Sequence, residues 1–220
     1  MQVKPNAFDG VKGAPTLAGL VAVMYVGFLV LAFGWRSWAR YRETGDTGYR
    51  GFSGDAGWLE RAAGILFVGS VGLSVANGIA VPTGLLSPIE LPRVSDLGIV
   101  GAALLIAGAT FALVAQAFMG LAWRIGVDPD ERLALVRSGP FAFARNPFFT
   151  GMLVATAGMA IAYPTLLGAA GWLLLLLAVE LQVRRVEEPY LAREFGAEYA
   201  DYAYGVGRFA PGFGRLRPPV

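Results

Sequence analysis

In this 220-residue chain, Arg145-Asn146-Pro147-Phe148-Phe149-Thr150-Gly151 opens a stretch that carries no charge until Glu180. Arg184-Arg185-Val186-Glu187-Glu188-Pro189 follows soon after. A guanidinium and an amide at one mouth of an apolar stretch, and two adjacent carboxylates at the other, are groups that hold a small charged molecule at a membrane surface. Pro147 suits the first turn of a helix, whose free N–H groups attract an anion such as a carboxylate. An ordinary loop-to-helix junction with Arg145 on lipid phosphate accounts for the same residues equally well. On a helix, Glu187 and Glu188 point about 100° apart, so one would bind a cation and the other an arginine. Arg184 and Glu188, at i,i+4, also read as a surface pair worth only a few tenths of a kcal/mol. Against that, carboxylates at the end of a span are costly unless paired or functional.

Other groups lie nearby. Trp123-Arg124 ends an apolar run and Arg208 sits in the tail. Either guanidinium would hold an anionic group, and either would equally snorkel to lipid phosphates. From Tyr190 to Phe209, the aromatics Tyr190, Phe195, Tyr199, Tyr202 and Tyr204 alternate with charges. That is the pattern of an interfacial helix anchored by an aromatic belt, with stacking on a purine the sharper alternative. Asp128, Asp130 and Glu131 surround Pro129, and without a further ligand they read as a helix start and not a metal site. The chain has neither Cys nor His. That excludes thiolate nucleophiles, disulfides, the usual zinc ligands and imidazole acid–base chemistry. Catalysis is left to carboxylates, arginines, tyrosines or a cofactor.

The elements that must position these groups are membrane helices. With 55% hydrophobic and 15% charged residues and a mean hydropathy of +0.55, the chain falls in the range of polytopic membrane proteins, with room for one membrane domain. Its Lys and Arg gather in particular loops, so the net charge of +2 reads as membrane orientation and not nucleic-acid binding. Four uncharged runs reach the ~20 residues of a span: Gly13 to Trp35, Ala62 to Ile89, Leu97 to Trp123, and Asn146 to Val179. The fourth is too long for one helix, and Tyr163-Pro164-Thr165 near its middle breaks it into a hairpin. The fold class is therefore all-α and polytopic, with about five transmembrane helices, a C-terminal helical hairpin and a tail. The first run follows Lys4 and Lys12 without a small-residue cleavage site, and reads as a retained helix.

Arg36, Arg40, Arg42, Arg50 and Arg61 separate the first two spans, whereas Arg93 alone lies between the second and third. By the positive-inside rule the N-terminus is outside, and the C-terminus and both open ends of the hairpin are cytosolic. Gly64, Gly69, Gly72 and Gly78 permit close helix contact. Thr44 to Gly57 reads as a flexible loop, and Leu85 to Pro92 as an outer connection.

Taken in order, Gly139-Pro140-Phe141, Arg145-Asn146-Pro147-x-Phe149-x-Gly151, Glu187-Glu188, Phe195-Gly196-x-x-Tyr199-x-x-Tyr202 and Val206-x-Arg208-Phe209 resemble the membrane methyltransferase superfamily. That superfamily includes the isoprenylcysteine carboxyl methyltransferases and the phospholipid methyltransferases. The resemblance covers roughly Leu135 to Pro211, and Met119-Gly120-Leu121-Ala122-Trp123-Arg124-Ile125-Gly126 is similar to a bacterial branch of the carboxyl methyltransferases. It implies an N-terminal helical part over residues 1–96 and a cofactor-binding core over residues 97–220. It also implies S-adenosylmethionine as cofactor, walled by Arg145, Asn146, Pro147, Phe149 and Gly151 and met by Glu187 and Glu188. Backbone near Val136 and Gly139, with Tyr199 and Tyr202, would complete the pocket. Asn146 stands where many relatives have His, which keeps hydrogen bonding but removes titration. Phe149 in place of Tyr loses a hydroxyl.

The implied activity is methyl transfer to a lipidic or hydrophobic acceptor that enters from the bilayer, without a metal. A sulfonium brings its own activated methyl group, so alignment and a water-poor site suffice. A carboxylate acceptor would be oriented by Arg124 or Arg208. An amine or thiol would need a base, for which Glu188 and Tyr202 are the candidates. Phospholipid amine or small-thiol methylation and a non-catalytic scaffold role are the alternatives.

Overall fold

The computed structural model describes residues 14–45, 57–90, 94–120 and 135–216. The described residues form helices joined by turns and loops, with a single antiparallel bridge between Ala210 and Phe213. Helix α1 (Ala14–Leu29) passes through a π-helical turn, Val30–Trp35, into α2 (Arg36–Thr44). Then come α3 (Trp58–Ala80), α4 (Val94–Met119), the short α5 (Pro140–Phe143), α6 (Pro147–Ala162) and α7 (Leu166–Gln182). A second π-helical turn, Val183–Glu187, leads into α8 (Glu188–Phe195), and α9 (Ala197–Gly205) follows. Among the described residues, four helices are long and apolar enough to cross a membrane: Leu17–Thr44, Trp58–Ala80, Asp96–Met119 and Leu166–Phe195. The architecture is thus an all-helical, multi-pass membrane bundle.

The fifth expected span is α6, whose 16 residues reach only about 24 Å against a hydrocarbon core of ~30 Å. Its limits are as the residues dictate: Pro147 occupies the first turn, and Tyr163 and Pro164 end it. Thr165 then caps α7, its hydroxyl accepting from Gly168 N at 2.9 Å. Two spans overrun the expected limits. The first continues through the arginines past Trp35 to Thr44, and α7 continues as one helical rod to Phe195. In both, a π-helical turn absorbs the change from apolar to charged sequence without breaking the helix. The second span, by contrast, starts earlier and stops earlier than expected. Ile89 N donates to Pro164 O at 2.7 Å, which ties the α3–α4 connection to the hairpin turn. Both open ends of the hairpin therefore lie with the last turn of α4, at the opposite end of the bundle.

Glycine sets the packing, though mostly not at the glycines expected. Along α4 and α6 the backbones meet at Gly101 with Gly158 and Gly108 with Gly151, in antiparallel register. A Cβ at Gly151 would fall 2.5 Å from Ala112 N, and one at Gly158 would fall 2.5 Å from Leu105 N. Neither backbone can yield. Of the glycines expected on α3, Gly78 meets Met159 and Gly69 meets Leu174, but Gly72 faces open space. Helix α3 also packs on α7 through a polar seam: buried Asn77 faces Gly168 and buried Ser74 faces Gly171. Thr165 Oγ1 donates to Asn77 Oδ1 at 2.6 Å.

Gly151→Ala and Gly108→Ala should each lower stability by about 1–3 kcal/mol, the ordinary cost of overpacking. Gly72→Ala should leave it unchanged or slightly higher, because Ala is the better helix former. Thermal unfolding in detergent checks the contrast, and equal melting points for all three would contradict the close backbone contact.

Candidate active site

At the end of the bundle where α4 finishes and α6 begins, the chain brings one carboxylate to two arginines. Glu188 opens α8, just after the π-helical turn. Arg208 embraces it with two parallel bonds, Nε to Oε1 and Nη2 to Oε2, both 2.8 Å. Arg145 adds a third, Nη2 to Oε1 at 2.6 Å. The remaining fork of Arg145 is spent on the backbone of the tail. Its Nη1 donates to Ala203 O at 3.1 Å and Val206 O at 2.6 Å, and its Nη2 to Gly214 O at 3.1 Å. Arg145 and Arg208 are 6% and 9% exposed. That excludes both the phosphate-anchoring reading of Arg145 and the snorkelling reading of Arg208. Arg184 pairs with Glu180, not with Glu188.

The tail from Val206 to Leu216 is a strap laid over the start of α6. Arg145 N donates to Gly207 O at 2.9 Å, and Asn146 N to Arg208 O at 3.0 Å. The Asn146 side chain repeats the second contact, Nδ2 to Arg208 O at 3.2 Å, and Thr150 Oγ1 donates to Phe209 O at 2.8 Å. Asn146 thus clips the backbone of the residue whose guanidinium holds Glu188. The strap turns back on itself, with Arg208 N donating to Phe213 O at 2.7 Å and Leu216 N to Ala203 O at 3.0 Å. Gly207 and Gly214, Thr150 and Glu180 belong to this end of the bundle and were not singled out from the sequence. The signal for the strap was there, in the glycines of Gly205-Val206-Gly207 and Gly212-Phe213-Gly214. A Cβ at Gly207 would collide with Ala210 O.

Tyr199 and Tyr202 do not point outward as members of a belt. Gly196, at φ 50°, breaks the expected interfacial helix into α8 and α9. This turns Tyr199 and Tyr202 inward, where they are 2% and 8% exposed and pack with Leu135, Leu191, Phe195 and Val206. Tyr202 OH donates to Phe141 O at 2.6 Å. Burial raises the Tyr202 phenol well above its ordinary range. Burial, and then the Glu188 charge, push Tyr199 up to about 12. Arg208 is held more firmly protonated than usual, chiefly by its hydrogen bonds to Glu188.

The other expected contacts separate into two groups. Val136 is half-buried, Gly139 is exposed at φ 60° with the Phe118 ring directly against it, and Glu187 accepts from Gln182 Nε2 at 3.5 Å. Pro147 is buried as the first residue of α6, Phe149 packs into the main core, and Gly151 faces the backbone of α4. The last two therefore support the site through packing. Arg124 and the Asp128–Glu131 cluster lie outside the described residues.

Two guanidiniums against one carboxylate leave the triad with one net positive charge. Among the described residues, Nη1 of Arg208 makes no hydrogen bond. Such an arrangement binds and orients an anionic group. It offers no ready proton acceptor, because both Glu188 oxygens are engaged and Tyr202 is a bound, protonated donor.

Residues 97–198 match the family model described as phospholipid methyltransferase. No curated protein matches the chain. The matched segment contains Arg145 and Glu188, while Arg208 lies beyond it.

Glu188→Gln should cost about 3–5 kcal/mol, since it strands two buried guanidiniums. It should also loosen the strap, read as faster tryptic cleavage at Arg208 and Arg215. A variant with unchanged melting temperature and protease resistance would show that the triad does not hold the tail.

Proposed function

With residues 97–198 a phospholipid methyltransferase domain of the wider membrane methyltransferase superfamily, we propose that the chain is an S-adenosylmethionine-dependent enzyme that methylates a membrane-dwelling, lipid-like acceptor. The carrying observation is the buried Arg145–Glu188–Arg208 triad, built at the mouth of an apolar hairpin within reach of the bilayer. Its orientation is cytosolic by the loop-charge argument. Arg36, Arg40, Arg61, Arg137, Arg184 and Arg208 all belong to the end of the bundle that carries the triad.

The donor chemistry fits the cofactor. An α-carboxylate suits the remaining edge of Arg208 and the net positive charge behind it. The Glu187 carboxylate and Gln182 amide suit ribose hydroxyls. When bound, the cofactor supplies a methyl group on a sulfonium, which needs an aligned nucleophile and little water. A chain without Cys or His presents no thiol or imidazole to divert that methyl. Arg145 and Asn146 act one step removed: they hold the strap, and the strap aims Arg208, while Tyr202 ties α9 to Phe141.

The acceptor arrives already nucleophilic, as an ionised carboxylate of the isoprenylcysteine type or as an unprotonated lipid amine. Neither Glu188 nor Tyr202 is available as a base. With the phenol pKa raised, Tyr202 remains protonated through and beyond neutral pH, and enters no proton transfer there.

Calorimetric titration of detergent-purified protein with S-adenosylhomocysteine, the demethylated product, should show binding that Glu188→Gln weakens by about ten-fold or more, because Arg208 loses the carboxylate that aims it. Wild-type protein that binds neither donor nor product would sink the assignment. Tyr202→Phe should retain most transfer of radiolabelled methyl, whereas loss of a true general base costs about 10²–10⁴-fold. The pH dependence of transfer should follow the acceptor's own ionisation.

A further inference from the structure

The first helix reaches this site from outside the matched segment. Its π-helical turn, Val30–Trp35, sets the buried Ala32 carbonyl against α4, and Gln116 Nε2 donates to that carbonyl at 2.8 Å. Gln116 is itself buried, at 3% exposure, one turn before α4 ends. The next residue of the first helix, Arg36, reaches the same turn. Its Nη2 donates to Gln116 O at 3.3 Å and also bonds Gly120 O. A cation on the last carbonyls of a helix is favourable for both charge and hydrogen bonding. Among the described residues Arg36 Nε is buried without a partner, so the guanidinium is held there at a cost in desolvation.

Both walls of the site hang on that lock. On the α4 side, Phe118 lies two residues beyond Gln116, and its ring fills the space against Gly139. On the α6 side, Phe33 from the same π-helical turn meets Phe148 edge-on, at a centroid distance of 5.9 Å and an interplanar angle of 78°. Phe148 follows directly on Asn146-Pro147. One irregular turn therefore fixes the Gly139 corner and the start of α6 relative to each other, and π-helical turns recur at functional positions for this kind of adjustment.

We infer that Arg36 and Gln116 are positioning residues for the methyl-transfer site, acting through the last turn of α4 on the Gly139 corner. This rests on the methyltransferase reading for its ligand, but not for its geometry. Arg36→Ala should weaken S-adenosylhomocysteine binding about ten-fold or more, since the Gly139 corner and the start of α6 lose their shared anchor. It should also speed hydrogen exchange across residues 138–150. Gln116→Met, which keeps the shape and loses the donor, should do the same to a smaller degree. Arg36→Lys should recover part of the loss, because one ammonium satisfies one carbonyl without the fork. Thr165→Ala, which removes a helix cap at the opposite end of the bundle, should cost stability while leaving affinity and exchange in 138–150 unchanged.

Wild-type affinity and exchange in Arg36→Ala, or equal losses in Thr165→Ala, would overturn the inference. If wild-type protein binds no S-adenosylhomocysteine, the methyltransferase reading falls. The exchange comparison then decides the positioning role by itself.

Discussion

Everything at the working end of this protein depends on Glu188 being shared by Arg145 and Arg208. A carboxylate at 14% side-chain exposure would be costly near a membrane core, and so would either guanidinium. Together, with the spare donors of Arg145 given to tail carbonyls, they are nearly satisfied. The triad joins segments 43 and 20 residues apart in sequence. It is the point where the start of α6, the end of the long α7–α8 rod and the returning strap are made into one body. Replacing it by apolar residues of similar volume would remove the desolvation cost. It would also remove the positive charge that gives this end of the bundle something to recognise.

Two π-helical turns serve related ends. Each lies where an apolar helix meets its arginines, and each lets the rod continue while rotating the charged residues that follow. In the first helix, Arg36 faces α4. In the long C-terminal rod, Glu188 faces the strap, although Arg184, one turn earlier, remains exposed and pairs along the helix with Glu180. A regular α-helix would keep Arg184 and Glu188 on one face, as the i,i+4 spacing implies.

The sequence carried the hairpin, its break at Pro164, the first apolar helix and the meeting of residues from both mouths. Apolar run length and proline are local signals that tertiary contacts do not override. It did not carry the partner of Glu188, because hydrogen bonds between distant segments leave no periodicity and the nearest i,i+4 arginine is the wrong one. The burial of Tyr199 and Tyr202 is hidden in the sequence for a similar reason. Alternating aromatics and charges describe an interfacial helix and a helix folded back on itself equally well, and the deciding residue, Gly196, is a single glycine among 30. The glycines of α4 and α6, spaced seven apart on each helix, were legible in principle. Of the glycines expected on α3, Gly69 and Gly78 do sit at contacts, beside the serine and asparagine of the polar seam.

Helix α6 has no exposed residue along its whole length. It is short, and its neighbours α4 and α7–α8 extend past its first turn on either side. Most membrane helices must match the thickness of the bilayer by tilting, stretching or deforming the lipid around them. A helix sheathed by other helices is released from that requirement. Changes in lipid thickness are therefore borne by the outer helices, while the floor on which Asn146 and Pro147 stand keeps its depth relative to α4 through contacts between backbones. The geometry of the site is set by the protein's own ruler, and not by the membrane's.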